Sequence, residues 1–585
     1  MKIKHILPIL TLAAATVSCT DLQRFPLDQG SSETWYSTET EFEMAVADMY
    51  RPVWWNLGQE AWNDDYFYRK IAGQPIIDGQ LNSKTDIKGY LKLSERYTYF
   101  YRAIVRANCI INGYERGLEN GIQKSKLDTW VAQARFCRAC HYGMLVFHWG
   151  DVVYVNNMTT IEDSYTMGRT PKAEVIQHIY DDFDAAIADL PEMYTGLQQA
   201  TKGAALAMKA RFALWFGDYA IAAEAAKQCI ALADKGVYAL HEDFGQLFHE
   251  RNHKEFVFII PQSSGLNIHG ESAPFSSVGS YTTRLAGGSA SKGPSWSLLA
   301  AFECVDGLRI DQSPLFDSHN PFKNRDPRCA ETLVEFDTEF LGHIFTSHPS
   351  KTTVKVPGTN KTEKNIDMYP IGNKNASYNG IVWRKRVEPE WGVSLNYVDQ
   401  PIIILRLADV YLIYAEAMIE QNKIDDSVLE AINKIRARAY KCSESAGVPI
   451  GTAAVVGQSY PQVTTTNQAE LRRILRRERH VEFAFEQLRY YDCIRWRIAK
   501  EAFNMPNCGL HATSAKAKEM GTKGIWFWGE APTFSENEVP NFQGLIDKGW
   551  CEVHSKGAFS DRMYLWPIPA EEILINSNMT QNPGY

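Results

Sequence analysis

The stretch Leu471–Trp496, LRRILRRERHVEFAFEQLRYYDCIRW, limits the possible folds of this chain more than any other. Leu471, Ile474, Leu475, Val481, Phe483, Ala484, Phe485 and Leu488 fall mostly at helical spacings, which predicts a helix. Glu478, Glu482 and Glu486 recur every four residues, so three carboxylates share one helix face, with Arg479 and Arg489 within pairing reach. That charge density, mixed with Phe483, Phe485, Tyr490, Tyr491 and Trp496, suits a buried ion-pair scaffold to which other segments lock. The alternative is an acid/base pair of Glu478 and Glu482. Neighbouring arginines would hold both carboxylates ionised, whereas an acid catalyst needs a raised pKa.

Arg476, Arg477, Glu478, Arg479, Glu482, Phe485, Glu486, Arg489, Tyr490, Asp492, Arg495 and Trp496 resemble the late "RRERR-E-AFEG-RY-DL-RW" signature of the SusD/RagB family of surface glycan-binding lipoproteins of Bacteroidetes. Gln487 stands where that signature carries Gly, and Cys493 where it carries Leu. Further elements extend the likeness along the chain. They are Tyr101, Ile104, Ala107 and Asn108, the Ala134–Val152 run, Phe302 with Asp306-Gly307, the Arg325–Arg328 "RDPR" element, and the end from Pro567 to Tyr585.

The formal charge of -8, without a basic block, argues against nucleic acid. At the start, Lys2 and Lys4 precede a short apolar run from Ile6 to Val17 that is too short to span a bilayer. Ser18-Cys19 then gives the small-residue-then-Cys pattern of a bacterial lipoprotein. Residues 1–18 are therefore expected to be a signal peptide, Cys19 the lipidated first mature residue, and 19–38 a tether. The ten other cysteines are irregularly spaced and demand no disulfide framework.

A capping box of Thr38 with Glu41 predicts a helix through Phe42, Val46 and Met49. Residues 95–117 and 124–148 read as two long antiparallel helices, and 172–190 as another. The segment 201–234 is the clearest helix pair, turning at Gly217-Asp218-Tyr219 and lined by small residues such as Ala205, Ala210, Ala222 and Ala226. Residues 406–441, starting with Arg406 on the first helix, repeat the theme, and 468–500 completes about four tetratricopeptide-like pairs. Stacked pairs of this kind suit binding a partner rather than chemistry. Within the second long helix, Cys137, Cys140 and His141 match the CxxCH spacing of haem attachment. They lie in phase with apolar neighbours, so buried packing is the expectation.

Between 236 and 400 glycines, serines and prolines mark long loops, with Phe256–Ile260 as a strand. Loops on a rigid frame commonly carry a binding site. Aromatic faces stack on sugar rings, and carboxylates and amides fix hydroxyls. The candidate ligand residues are Trp54, Trp55, Trp62, Asp64, Asp65, Tyr66, Asn82, Tyr90, Tyr281, Arg284 and Trp296.

The expectation is thus a mainly α, SusD-like chain, with residues 39–585 as one domain. Residues 39–235 and 401–500 form its helical scaffold, about 236–400 the loop-rich binding region, and 501–585 the C-terminal region. The resemblance implies a non-catalytic outer-membrane lipoprotein facing the cell exterior. It would capture oligosaccharide and deliver it to a SusC-like TonB-dependent transporter. A tetratricopeptide-type assembly scaffold and a glycoside hydrolase are the alternatives. No cofactor is expected, no catalytic or metal-ligating residue is assigned, and a structural calcium ion is not indicated.

Overall fold

The computed structural model describes residues 35–55, 62–68, 76–84, 86–87, 91–194, 199–263, 278–388, 400–440 and 460–585. Cys19 and Tyr90 lie outside the described residues.

Among the described residues nine helices carry the architecture: α1 (Glu39–Met49), α2 (Leu93–Asn112), α3 (Lys124–Trp149), α4 (Lys172–Asp189), α5 (Lys202–Phe216), α6 (Tyr219–Asp234), α7 (Leu407–Glu420), α8 (Asp426–Ala439) and α9 (Gln468–Glu482). They stack in chain order, α2 on α3, α3 on α4, then α5, α6 and α7, with α8 and α9 both against α7. Thr38 caps α1 through the reciprocal box with Glu41. Gly217 closes α5 in the left-handed region at φ 89°, which only glycine enters freely. The helices approach closely because small residues face one another. A Cβ added to Gly143 would come within 2.5 Å of the Phe212 ring on α5. Among the described residues no helix is long and apolar enough to cross a membrane.

Among the described residues the sheets are all two-stranded. The strands that matter are β1 (Tyr66–Tyr68), β2 (Phe256–Ile260), β3 (Lys292–Pro294), β4 (Ile402–Arg406), β5 (Pro506–Gly509) and β6 (Glu552–Lys556). β2 pairs antiparallel with β4, β1 with β3, and β5 with β6. Sequence reasoning placed Arg406 on a helix. It is instead the last residue of β4 and the N-cap of α7, because the β-branched run Ile402–Ile404 extends the chain up to it.

The signature stretch differs from one long helix. α9 ends at Glu482, and Phe485 and Gln487 then take φ 65° and 66°. Gln487 thus occupies a left-handed conformation at the position where the related signature carries Gly. The local pairing expected of Arg479 and Arg489 also gives way to long-range partners. Glu478 accepts from Arg328 (2.6 Å) and Arg436 (2.9 Å). Glu482 accepts from Arg328 (2.8 Å), Arg406 (2.7 Å) and Arg438, and Glu486 from Arg406 and Lys385 (both 2.7 Å). Arg479 reaches Asp409 (2.8 Å) and Asp492 (3.1 Å), and Arg489 reaches Asp64 (2.8 Å). An exposed pair one helical turn apart is worth only a few tenths of a kcal/mol. A buried carboxylate needs every oxygen satisfied, and only distant segments can supply that many donors. Burial alone would raise Glu482 and Glu486. The surrounding guanidinium groups outweigh it and hold both below the usual carboxylate range.

Candidate functional site

The lattice around α9 fixes the position of the loops. Asp64 is clamped by Arg489, and Asp65 meets His480 at 2.5 Å, so the 62–66 segment is tied directly to the signature stretch. The main-chain carbonyls of Asp64 and Asp65 receive the Ser295 hydroxyl and amide at 2.5 and 2.7 Å. With β1 paired to β3, the two loop segments singled out from sequence, 62–66 and 281–296, are brought together.

Most of the chosen side chains there are nevertheless core, which corrects the expectation of open stacking faces. Trp54 lies against Tyr99 and under the Arg106 guanidinium, and Trp55 packs on Phe136 and Phe258. Trp62 sits between Tyr490 and Trp566, and Tyr66 against Trp383 and Phe485. Tyr281 packs edge-on to Phe485. Trp296 is 2% exposed and donates its indole N–H to the Asn379 carbonyl at 2.8 Å. Asp64 and Asp65 are likewise buried, against Arg489 and His480. Irregular segments have little ladder or helix to hold them, so their large aromatics act as the anchors. Asn82 is exposed, in a turn where its amide bonds Gln80 and Lys84. Arg284 is half-buried. Its guanidinium donates to the Gly288 carbonyl, and its amide to Asp367.

An aromatic face does exist beside these anchors, built from Phe67, Tyr369, Tyr378 and His554. Tyr378 lies 4.4 Å from Tyr369 and 5.3 Å from His554, centroid to centroid, and Phe67 lies 5.5 Å from His554. Phe67 and Tyr369 are buried, whereas Tyr378 and His554 are half-buried. The Leu510 amide donates to the Tyr378 carbonyl, and the Leu510 carbonyl meets His554 Nε2 at 2.8 Å, so β5 and β6 fix the pair. Burial pushes the His554 imidazole below its ordinary value, favouring the neutral ring. Asp367, two residues before Tyr369, is pushed up to about 6 by burial despite the amides of Arg284 and Leu285. A half-buried tyrosine backed by rings offers a stacking platform, and the half-buried Arg284, tied by its amide to Asp367, supplies a donor on the neighbouring segment. Sequence reasoning missed Tyr378 and His554. They meet only through the β5/β6 pairing and the turn at Gly380, whose φ is 79°, and no local periodicity signals either.

Cys137, Cys140 and His141 are buried mid-helix, with His141 between the Trp55 and Phe100 rings. The cavity beside them holds about 60 Å³, far below an ordinary ligand site. Among the described residues no group of three or more His, Cys, Asp or Glu could hold a metal ion.

Stacked helix pairs with a loop-built aromatic face define a binding-protein architecture. The chain belongs to the SusD family, whose model matches residues 254–585. A second model, described as "Starch-binding associating with outer membrane", matches residues 27–214. "SusD-like protein P2" of Formosa agariphila is 26% identical over 100% of this chain and 99% of its own length. A SusD-like carbohydrate-binding protein from Bacteroides fragilis superposes with a TM-score of 0.72 at 24% identity, covering 93% of this chain and 99% of that one. A laminarin-binding SusD-like protein superposes with a TM-score of 0.57 at 17% identity, covering 94% and 100%.

Proposed function

We propose that this protein is a surface glycan-binding lipoprotein that captures oligosaccharide and passes it to a TonB-dependent outer-membrane transporter without cleaving it. Family membership supports the glycan, and the half-open Tyr378 face is the observation that carries the reading. Flat rings grip the apolar faces of pyranoses, while the Arg284 guanidinium suits hydroxyl groups. Glu482 and Glu486, held ionised by arginines and a lysine, are unsuited to acid catalysis. Cys19 would carry the lipid. Tethering beside a pore keeps ligand at high local concentration without tight affinity.

Incubation with a glycan panel tests the reading. Binding with no release of reducing ends is expected, and binding should fall on Tyr378→Ala. Released reducing ends would identify a hydrolase instead. Silence toward every glycan, with the transporter still co-purifying, would leave a protein-assembly scaffold. Cys19→Ala should release the protein from the outer-membrane fraction.

A further inference from the structure

A second cavity, independent of the Tyr378 face, opens where the 244–249 segment, the short helix Arg328–Thr332 and the 338–345 hairpin meet. It encloses about 430 Å³ and is lined in part by Gln246, Phe248, His249, Glu331, Phe340 and Arg384. That volume lies within the range of ordinary small-molecule sites.

Glu331 is its unusual member. It is 7% exposed and makes no hydrogen bond or ion pair among the described residues, although buried carboxyls normally have partners. The helix that carries it is pinned from its first residue, because Arg328 is bound by Asp326, Glu478 and Glu482. Gly245 passes so close that a Cβ there would come within 2.4 Å of Glu331 Oε2, so glycine leaves the carboxyl its room beside the opening. The Arg384 guanidinium, which lines the same cavity, is also without a hydrogen-bond or ion-pair partner among the described residues. Its backbone is fixed through its amide to the Thr332 carbonyl at 2.9 Å. An unpaired acceptor and an unpaired donor thus face one space, with Phe248 and Phe340 supplying apolar wall.

The charge around the cavity selects the ligand. Arg384 opposes a cation, and Glu331, Glu339 and nearby Asp243 oppose an anion. We propose that this cavity is a second ligand site for a neutral, pyranose-sized polyol, whose adjacent hydroxyls donate to Glu331 and accept from Arg384.

Hydroxyl donors favour the ionised carboxylate, so binding should release a proton and strengthen with pH. The groups acting on Glu331 are its own burial, Arg384, Asp243 and Glu335, with His249 and Glu339 elsewhere on the wall. Burial pushes Glu331 up to about 7, with Asp243 and Glu335 adding to it and Arg384 opposing.

The test titrates the full mature protein with glucose, galactose, mannose, xylose and fucose, read by saturation-transfer NMR. Titrations run at about pH 6 and about pH 8, which bracket the Glu331 carboxyl. At least one sugar should bind, more tightly at the higher pH. Both Glu331→Gln and Arg384→Ala should weaken it at least about tenfold, the scale of losing a charged hydrogen bond. Glu331→Gln should also abolish the pH dependence. The proposal is overturned if no sugar binds at up to about 100 mM, far above millimolar affinity. It is overturned equally if the response survives in both variants, or is lost in Tyr378→Ala and kept in Glu331→Gln. Oligosaccharide binding at the Tyr378 face, followed on the same samples, reports separately on the first site.

Discussion

Both carboxylate oxygens of Glu482 meet guanidinium groups, whereas Glu331, 7% exposed at a cavity wall, hydrogen-bonds none. The first lies in the lattice that welds α9 to Arg328, Arg406, Arg438 and Arg436. The second lines the cavity between the 244–249 segment and the 338–345 hairpin. A fully paired interior charge locks one arrangement, because withdrawing any partner strands the others. An unpaired one lowers stability and is available to something from outside. The same residue type thus marks frame in one region and a candidate site in the other.

The comparison breaks most readily at Arg406, which is 1% exposed and bonds Glu255, Glu482 and Glu486. Arg406→Ala should lower unfolding stability by about 3–5 kcal/mol in chemical denaturation, the scale for a broken buried pair. A change below about 1 kcal/mol would mean the lattice behaves like surface pairs.

Trp296→Ala comes next, with a loss of about 3–5 kcal/mol expected from the cavity it leaves and the orphaned Asn379 carbonyl. Lost glycan affinity with an unchanged Tm would return Trp296 to the ligand face.

The pH dependence should have opposite signs in the two regions. Glu303 and Asp409 are both lowered to about 2. Burial opposes the shift in each, and Arg436 with Arg477, or Arg211 with Arg479, outweighs it. Folded values below the unfolded ones mean stability that is complete above about pH 4.5 and lost as pH falls toward 2, by about 2 kcal/mol or more per group. Glu331, raised to about 7, works the other way. The fold holds its proton more tightly than the unfolded chain, so stability falls as pH rises from about 4.5 to 7. Glu331→Gln should therefore stabilise the protein by about 1–3 kcal/mol at pH 8 and leave it unchanged at pH 4. Urea midpoints of both proteins across that range check the sign, and a variant no more stable at pH 8 would remove the burial argument.

The legible part of the molecule was its repetitive part. The Ala-rich pair at 202–234, the capped α1 and the long α2 and α3 announce themselves through spacing and caps, which are local properties. The charges of Leu471–Trp496 announced a buried lattice but not its partners, because Arg328, Arg406 and Arg436 come from distant segments. The aromatics were misread for a related reason. Trp62, Tyr66 and Trp296 look alike in sequence whether they face solvent or anchor a loop, and only tertiary packing separates the two cases. Tyr378 stood out by no local pattern, yet it keeps the open face.

Paired measurements on Tyr378→Ala test most directly the claim that an ion-locked frame carries a separate glycan-gripping face. Thermal unfolding and affinity for whichever glycan the panel identifies would be read on the same sample. The account predicts a stability loss of no more than about 1 kcal/mol, as for a half-exposed side chain. It also predicts roughly tenfold weaker binding, the scale of one lost aromatic contact. Undiminished affinity, or a collapse of the fold, would contradict it.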